Sequence, residues 1–172
     1  MDPGTSVMGY GLILVKGNNT SVIQFGVIHL SKYSTHELKL KKIFERVISI
    51  IEEFEPDEVA LEAPFYGKNV QSMLKLGRAQ GVAMAAALSR EIPITEYAPK
   101  KVKQSVTGNG NASKEQVANM LKTIFKFKSE PKLYDATDAL AVALCHHYNK
   151  NSSATKSKSW KSFLKDNPSR IK

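Results

Sequence analysis

The 172 residues contain a single cysteine, Cys145, and it lies within an apolar run. One cysteine excludes an intrachain disulfide framework, points to a reducing compartment and leaves core packing as its expected role. Long hydrophobic runs are missing as well. The longest purely apolar stretch, residues 82–88, falls far short of the ~20 residues that a membrane span needs. The N-terminus is short and polar, without the apolar core of a signal peptide, so the sequence reads as a soluble, cytoplasmic protein. Acids are scarce beside bases, 16 against 25, for a net charge of +9 and a pI near 9.6. That excess points to a polyanionic partner, nucleic acid first. It is unevenly spread: beyond Asn149, seven lysines and arginines face Asp166 alone, which accounts for +6 of the +9. The body is only mildly basic, and its function has to be sought in particular residues.

The pattern along the body is legible. Residues 10–15 (YGLILV) and 21–30 (SVIQFGVIHL) are β-branched and apolar and are joined by Gly17-Asn18-Asn19, a hairpin signature. Over residues 35–54, Leu40, Ile43, Phe44, Val47, Ile48, Ile51 and Phe54 recur at helical spacing. Residues 58–61 (EVAL) form a short strand ending at Glu62, followed by the loop APFYGK and a helix over 69–90 rich in Gly and Ala. Two internal glycines there, Gly77 and Gly81, cost roughly 1 kcal/mol each relative to alanine, which suggests close approach to another helix. Residues 92–97 read as a strand, Pro99 opens a short helix, and Ser113 with Gln116 caps another that runs to about Lys126. A last helix runs from Asp135 to near Tyr148. A hairpin followed by strands alternating with helices predicts an α/β fold, a mixed sheet with helices on both faces. The domain is expected to span residues 1–148, and the Ser-, Asn- and Lys-rich stretch 149–172 to be a disordered basic tail.

Four acids stand out. Asp135 and Asp138 are three apart at the start of the last helix, which sets them on one face with β-carbons about 5–6 Å apart. They read either as capping residues favoured by the helix dipole or as half of a divalent-metal site. Glu62 closes an apolar strand, where an acid either is solvated or points into a ligand crevice. Asp2, before Pro3-Gly4, reads either as a turn former or as a third ligand. If all four converge, their charges can coexist only around cations, and two Mg²⁺ ions would suit phosphodiester hydrolysis.

The ordered set of segments Asp2-Pro3-Gly4 with Gly9-Tyr10-Gly11, Leu61-Glu62 with Phe65 and Lys68-Asn69, Lys75-Leu76-Gly77 with Gly81, and Asp135-Ala136-Thr137-Asp138-Ala139-Leu140-Ala141 resembles the RuvC family. These are bacterial Holliday-junction resolvases of ribonuclease-H-like fold, and the resemblance covers about residues 2–148. It implies that Asp2, Glu62, Asp135 and Asp138 are catalytic, metal-binding acids. It implies two Mg²⁺ ions per site as cofactor, with Mn²⁺ able to substitute. Phe65 would stack at the junction centre, where a loop aromatic suits an unstacked base; its alternative is packing on the next helix. Lys68, Lys103 and Lys114 would contact DNA, the last two near the scissile phosphate, although lone surface lysines are ordinarily mere solvated charge. The implied partners are four-way junction DNA, a second copy in a homodimer, and branch-migration proteins of the RuvA/RuvB type. The pattern departs at the N-terminus, where Met1 alone stands in place of the family's first strand. Rival readings are another ribonuclease-H-like nuclease acting on RNA–DNA hybrid, a non-catalytic junction binder, and, last, a sugar-kinase or actin-like ATPase.

Overall fold

A computed structural model of the chain describes residues 1–17, 19–64, 69–127 and 134–155. Among these residues the order is β1 (Val7–Lys16), β2 (Asn19–His29), α1 (His36–Phe54), β3 (Val59–Glu62), α2 (Val70–Leu88), β4 (Ile94–Tyr97), α3 (Pro99–Thr107), α4 (Lys114–Phe125) and α5 (Tyr134–Thr155). The expected elements are all present. The last helix continues past its expected end near Tyr148, and residues 156–172 of the expected tail lie outside the described residues.

β1 and β2 pair antiparallel with Lys16 opposite Asn19, so the chain reverses just after Gly17. Gly17 has φ +59°, the left-handed conformation such a tight connection demands. β3 and β4 form a separate parallel pair. The expected single mixed sheet is thus divided, and Met1 and Asp2 span the division. The Met1 nitrogen donates to the Ala60 carbonyl at 2.6 Å, and the Glu62 N–H donates to the Met1 carbonyl at 3.0 Å. Asp2 and Gly9 exchange both backbone hydrogen bonds at 3.0 Å. Two residues therefore pair parallel with β3 on one side and antiparallel with β1 on the other. Beyond Met1 the two strands part around a cavity of about 450 Å³, lined by Gly11, Ile13, Ile51, Phe54, Val59 and Ala143 among others.

The period-2 alternation of strand side chains sorts the core into two layers. Val59 and Leu61 of β3, with Met8 and Tyr10 of β1, pack among the buried residues of α1 and α2. Ala60 faces the other way, into a cluster built from α3, α4 and α5. Helices therefore cover both faces, as expected. α1 is fixed at its start by Thr35, whose hydroxyl accepts from the Leu38 N–H, and it buries Ile43, Val47, Ile50 and Ile51. α4 opens with the Ser113–Gln116 capping box that the sequence predicts. Between Ala136 and Cys145, α5 is buried nearly all round, through Ala136, Ala139, Leu140, Val142, Leu144 and Cys145, as a central helix must be. It is tied to the strands by His146, which hydrogen-bonds Tyr97 at 2.9 Å and Glu58 at 2.6 Å. Cys145 is a buried free thiol, as its sequence context suggests. Among the described residues no helix is long and apolar enough to cross a membrane.

Candidate active site

Three local devices deliver the four acids. Asp2 sits in the bridge to Gly9, so its backbone is pinned by two hydrogen bonds. Glu62 is the last residue of β3, whose preceding residues Val59, Ala60 and Leu61 are buried and leave the acid emerging at the strand's carboxyl end. Asp135 and Asp138 lie in the first turns of α5. Between them Thr137 is buried, and its hydroxyl donates to the Tyr134 carbonyl at 2.7 Å, which satisfies one polar group inside the helix start. β1 lets this helix approach closely: a β-carbon on Gly11 would lie 2.8 Å from the Leu140 side chain.

The outcome is convergence. One carboxylate oxygen each from Asp2, Asp135 and Asp138 lies within 4.8 Å of the others. Glu62 stands outside that tight group but lines the same cavity, about 410 Å³, as Asp2, Asp138, Lys103 and Lys114. Burial, then the neighbouring Asp138 carboxylate, pushes Asp2 up to about 6. Burial, then Asp2 and Asp138, pushes Glu62 up to about 7. The Lys114 ammonium donates to Asp138 at 2.6 Å, and that bond raises the lysine's own pKa. A group of half-buried, mutually repelling carboxylates offers hard oxygen donors from three directions, which fits a divalent cation. The capping and turn readings of these acids do not account for that convergence.

Six of the eight sequence-derived site residues, Asp2, Glu62, Lys103, Lys114, Asp135 and Asp138, meet in or beside this cavity. Phe65 and Lys68 lie outside the described residues. Among the polar side chains of the cavity wall, one was not singled out from the sequence, the buried Gln80 of α2. A signal for it existed: Gln80 shares a helical face with the apolar Ala83 and Ala87, where a polar side chain needs a reason.

A mixed α/β core with helices on both faces and acids gathered at its edge defines a ribonuclease-H-like nuclease. The family model described as crossover junction endodeoxyribonuclease RuvC matches residues 1–146. The crossover junction endodeoxyribonuclease RuvC of Cytophaga hutchinsonii is 64% identical over the whole chain, which covers 86% of that protein. Its counterpart in Christiangramia forsetii is 59% identical, again over the whole chain and 91% of that protein. The structure of Thermus thermophilus RuvC in complex with a Holliday junction substrate superposes with a TM-score of 0.82 at 32% identity, covering 88% of this chain and 93% of that one. The chain belongs to the RuvC family of crossover junction endodeoxyribonucleases. Divalent-metal dependence comes with that family.

Proposed function

We propose that this chain resolves four-way DNA junctions by paired, symmetric nicks, with Asp2, Glu62, Asp135 and Asp138 holding two Mg²⁺ ions, which Mn²⁺ can replace. The observation that carries the reading is the approach of Asp2, Asp135 and Asp138 to within 4.8 Å. When bound, the ions would activate a water and stabilise the leaving oxygen of the phosphodiester. The chain's own residues do the rest. Asp135 and Asp138 present oxygens from one helix face, and the bridge to Gly9 fixes Asp2 opposite them. Lys114 neutralises Asp138 and, with Lys103, supplies positive charge in the cavity to meet a phosphate. Phe65 and Lys68 are proposed to contact the junction.

A homodimer suits a substrate with pseudo-twofold symmetry. The exposed side of α2 supports it: Val70, Leu74 and Leu88 are solvent-facing apolar side chains, and among the described residues nothing lies within 4 Å of a β-carbon built on Gly77 or Gly81. We place the protein in the cytoplasm, assign residues 1–148 to the nuclease domain and 149–172 to a basic tail, and expect branch-migration proteins of the RuvA/RuvB type as partners. The test is cleavage of a labelled four-way junction with and without Mg²⁺, beside linear duplex and RNA–DNA hybrid. Paired nicks on the junction alone support the reading. Binding without cutting would favour a non-catalytic junction binder, and cutting of the hybrid a different ribonuclease-H-like activity.

A further inference from the structure

We propose that Gln80 is a positioning residue: its side-chain amide holds the backbone of Glu62 in the site and joins it to α2. The inference rests on the reading of Glu62 as a metal-binding acid. Gln80 is 6% exposed, and with Thr137 it is one of two buried polar or charged residues among those described. Both serve the acids, Thr137 at the start of α5 and Gln80 at the end of β3. A buried amide without partners costs free energy, so the direction in which Gln80 spends its donors is informative. Its Nε2 donates to the Glu62 carbonyl at 3.5 Å and to Oε1 of Glu96 on β4.

Among the described residues, the other backbone hydrogen bonds that hold Glu62 run through the sheet. Its N–H goes to the Met1 carbonyl at 3.0 Å, and the following N–H, that of Ala63, goes to the Tyr97 carbonyl at 2.9 Å. Those bonds fix the strand end in the plane of the sheet. Gln80 adds a tie from the helical layer, in the wall of the cavity that Glu62 lines. Glu96 keeps the amide aimed: it is an exposed acid in register with Leu61, one residue before Glu62, and its carboxylate accepts from the same nitrogen. Supporting groups that orient metal ligands typically change metal affinity or activity about 10–100-fold when removed.

The test compares Gln80→Leu, which keeps the bulk and removes the donors, with Glu96→Ala, which removes the acceptor from the surface without disturbing the core. Mg²⁺ binding to each purified protein is titrated by calorimetry, and junction binding, junction cleavage and thermal unfolding are followed in parallel. Expected for Gln80→Leu is a rise of about tenfold or more in the Mg²⁺ dissociation constant and a similar fall in cleavage, with junction affinity unchanged. Glu96→Ala moves the same way by less, and Glu96→Gln, which keeps an acceptor oxygen, restores wild-type values. A lowered melting temperature with unchanged Mg²⁺ binding in both Gln80→Leu and Glu96→Ala would overturn the positioning role and leave a purely structural amide. Glu62→Gln serves as the reference. Wild-type cleavage by Glu62→Gln would sink the site assignment itself, whereas an inactive Glu62→Gln beside a fully metal-competent Gln80→Leu sinks only the proposal about Gln80.

Discussion

A β-carbon placed on Gly9 would lie 1.9 Å from the carbonyl oxygen of Asp135. The start of α5 is thus seated directly on the β1 backbone, at the residue that exchanges both its hydrogen bonds with Asp2. Gly9 therefore sets the spacing between two of the acids by having no side chain. Gly9→Ala should push α5 away from β1 and open the Asp2–Asp135 distance. A displacement of about 1 Å in a catalytic site can cost roughly a hundredfold in rate, so cleavage should fall by about that much. Junction-cleavage kinetics at saturating Mg²⁺ check this, on protein shown by thermal unfolding to be folded at the assay temperature. Unchanged kinetics would mean that the helix start relaxes without moving the acids.

Asp138→Asn should abolish cleavage while keeping or tightening junction binding. It removes one of three converging carboxylates and a negative charge beside the DNA path, and it frees the Lys114 ammonium from its 2.6 Å bond for a phosphate. An electrophoretic mobility-shift titration paired with a cleavage assay separates the two effects. Cutting at the wild-type rate would show that the metal site has been misassigned.

Proton linkage gives a prediction that does not depend on DNA. Asp2 is pushed up to about 6 and Glu62 to about 7, mainly by burial and then by neighbouring carboxylates. A group whose folded-state pKa is raised contributes stability that is fully present below its unfolded value and is lost as pH rises through the folded one. Without metal, this contribution therefore declines from about pH 4 to about pH 7. A divalent cation takes the deprotonated carboxylates, so its stabilisation runs the opposite way and its binding releases protons. The gain in melting temperature on adding Mg²⁺, relative to EDTA, should be small near pH 5 and largest near about pH 8. A gain independent of pH would mean that these two acids do not face the ion.

Much of this architecture could be read in the chain because its signals were local. The Ser113–Gln116 box, the Gly17 turn and the periodicity of α1 each fix an element within a few residues of sequence. The acids could be ordered but not measured, since nothing local says that Asp2 and Asp138, far apart in the chain, share one cavity. Gly9 was visible as part of a motif, yet its contact with Asp135 depends on helix-on-strand packing that spacing does not encode. Gln80 stands out in the sequence as a polar residue on an apolar helix face, but its partners Glu62 and Glu96 come within reach only through packing. The division of the sheet was equally invisible. It depends on Met1 and Asp2 pairing in two directions at once.

That division yields the last prediction. Met1 is paired opposite Leu61 in a parallel register and Asp2 opposite Gly9 in an antiparallel one, so residues joined ahead of Met1 would run on between Gly11 and Val59. Gly11 lies two residues along β1 from Gly9, and its backbone N–H and C=O point the same way, toward the cavity. Side chains entering there would alternate between Ile51 and Phe54 of α1 on one face and Ala143 of α5 on the other. Both faces are apolar, and a strand buried on both faces must itself be apolar throughout. A short Val- and Ile-rich extension should therefore raise the melting temperature, by about 2–4 °C for each kcal/mol gained in a chain of this size. It should also tighten Mg²⁺ binding by holding Asp2 in a longer ladder. An extension of the same length built from Ser and Lys should do neither. Amide exchange adds a direct readout, since the Gly11 and Ile13 N–H groups should become protected only with the apolar extension. Equal exchange in the two lengthened proteins would show that the cavity does not accept a strand.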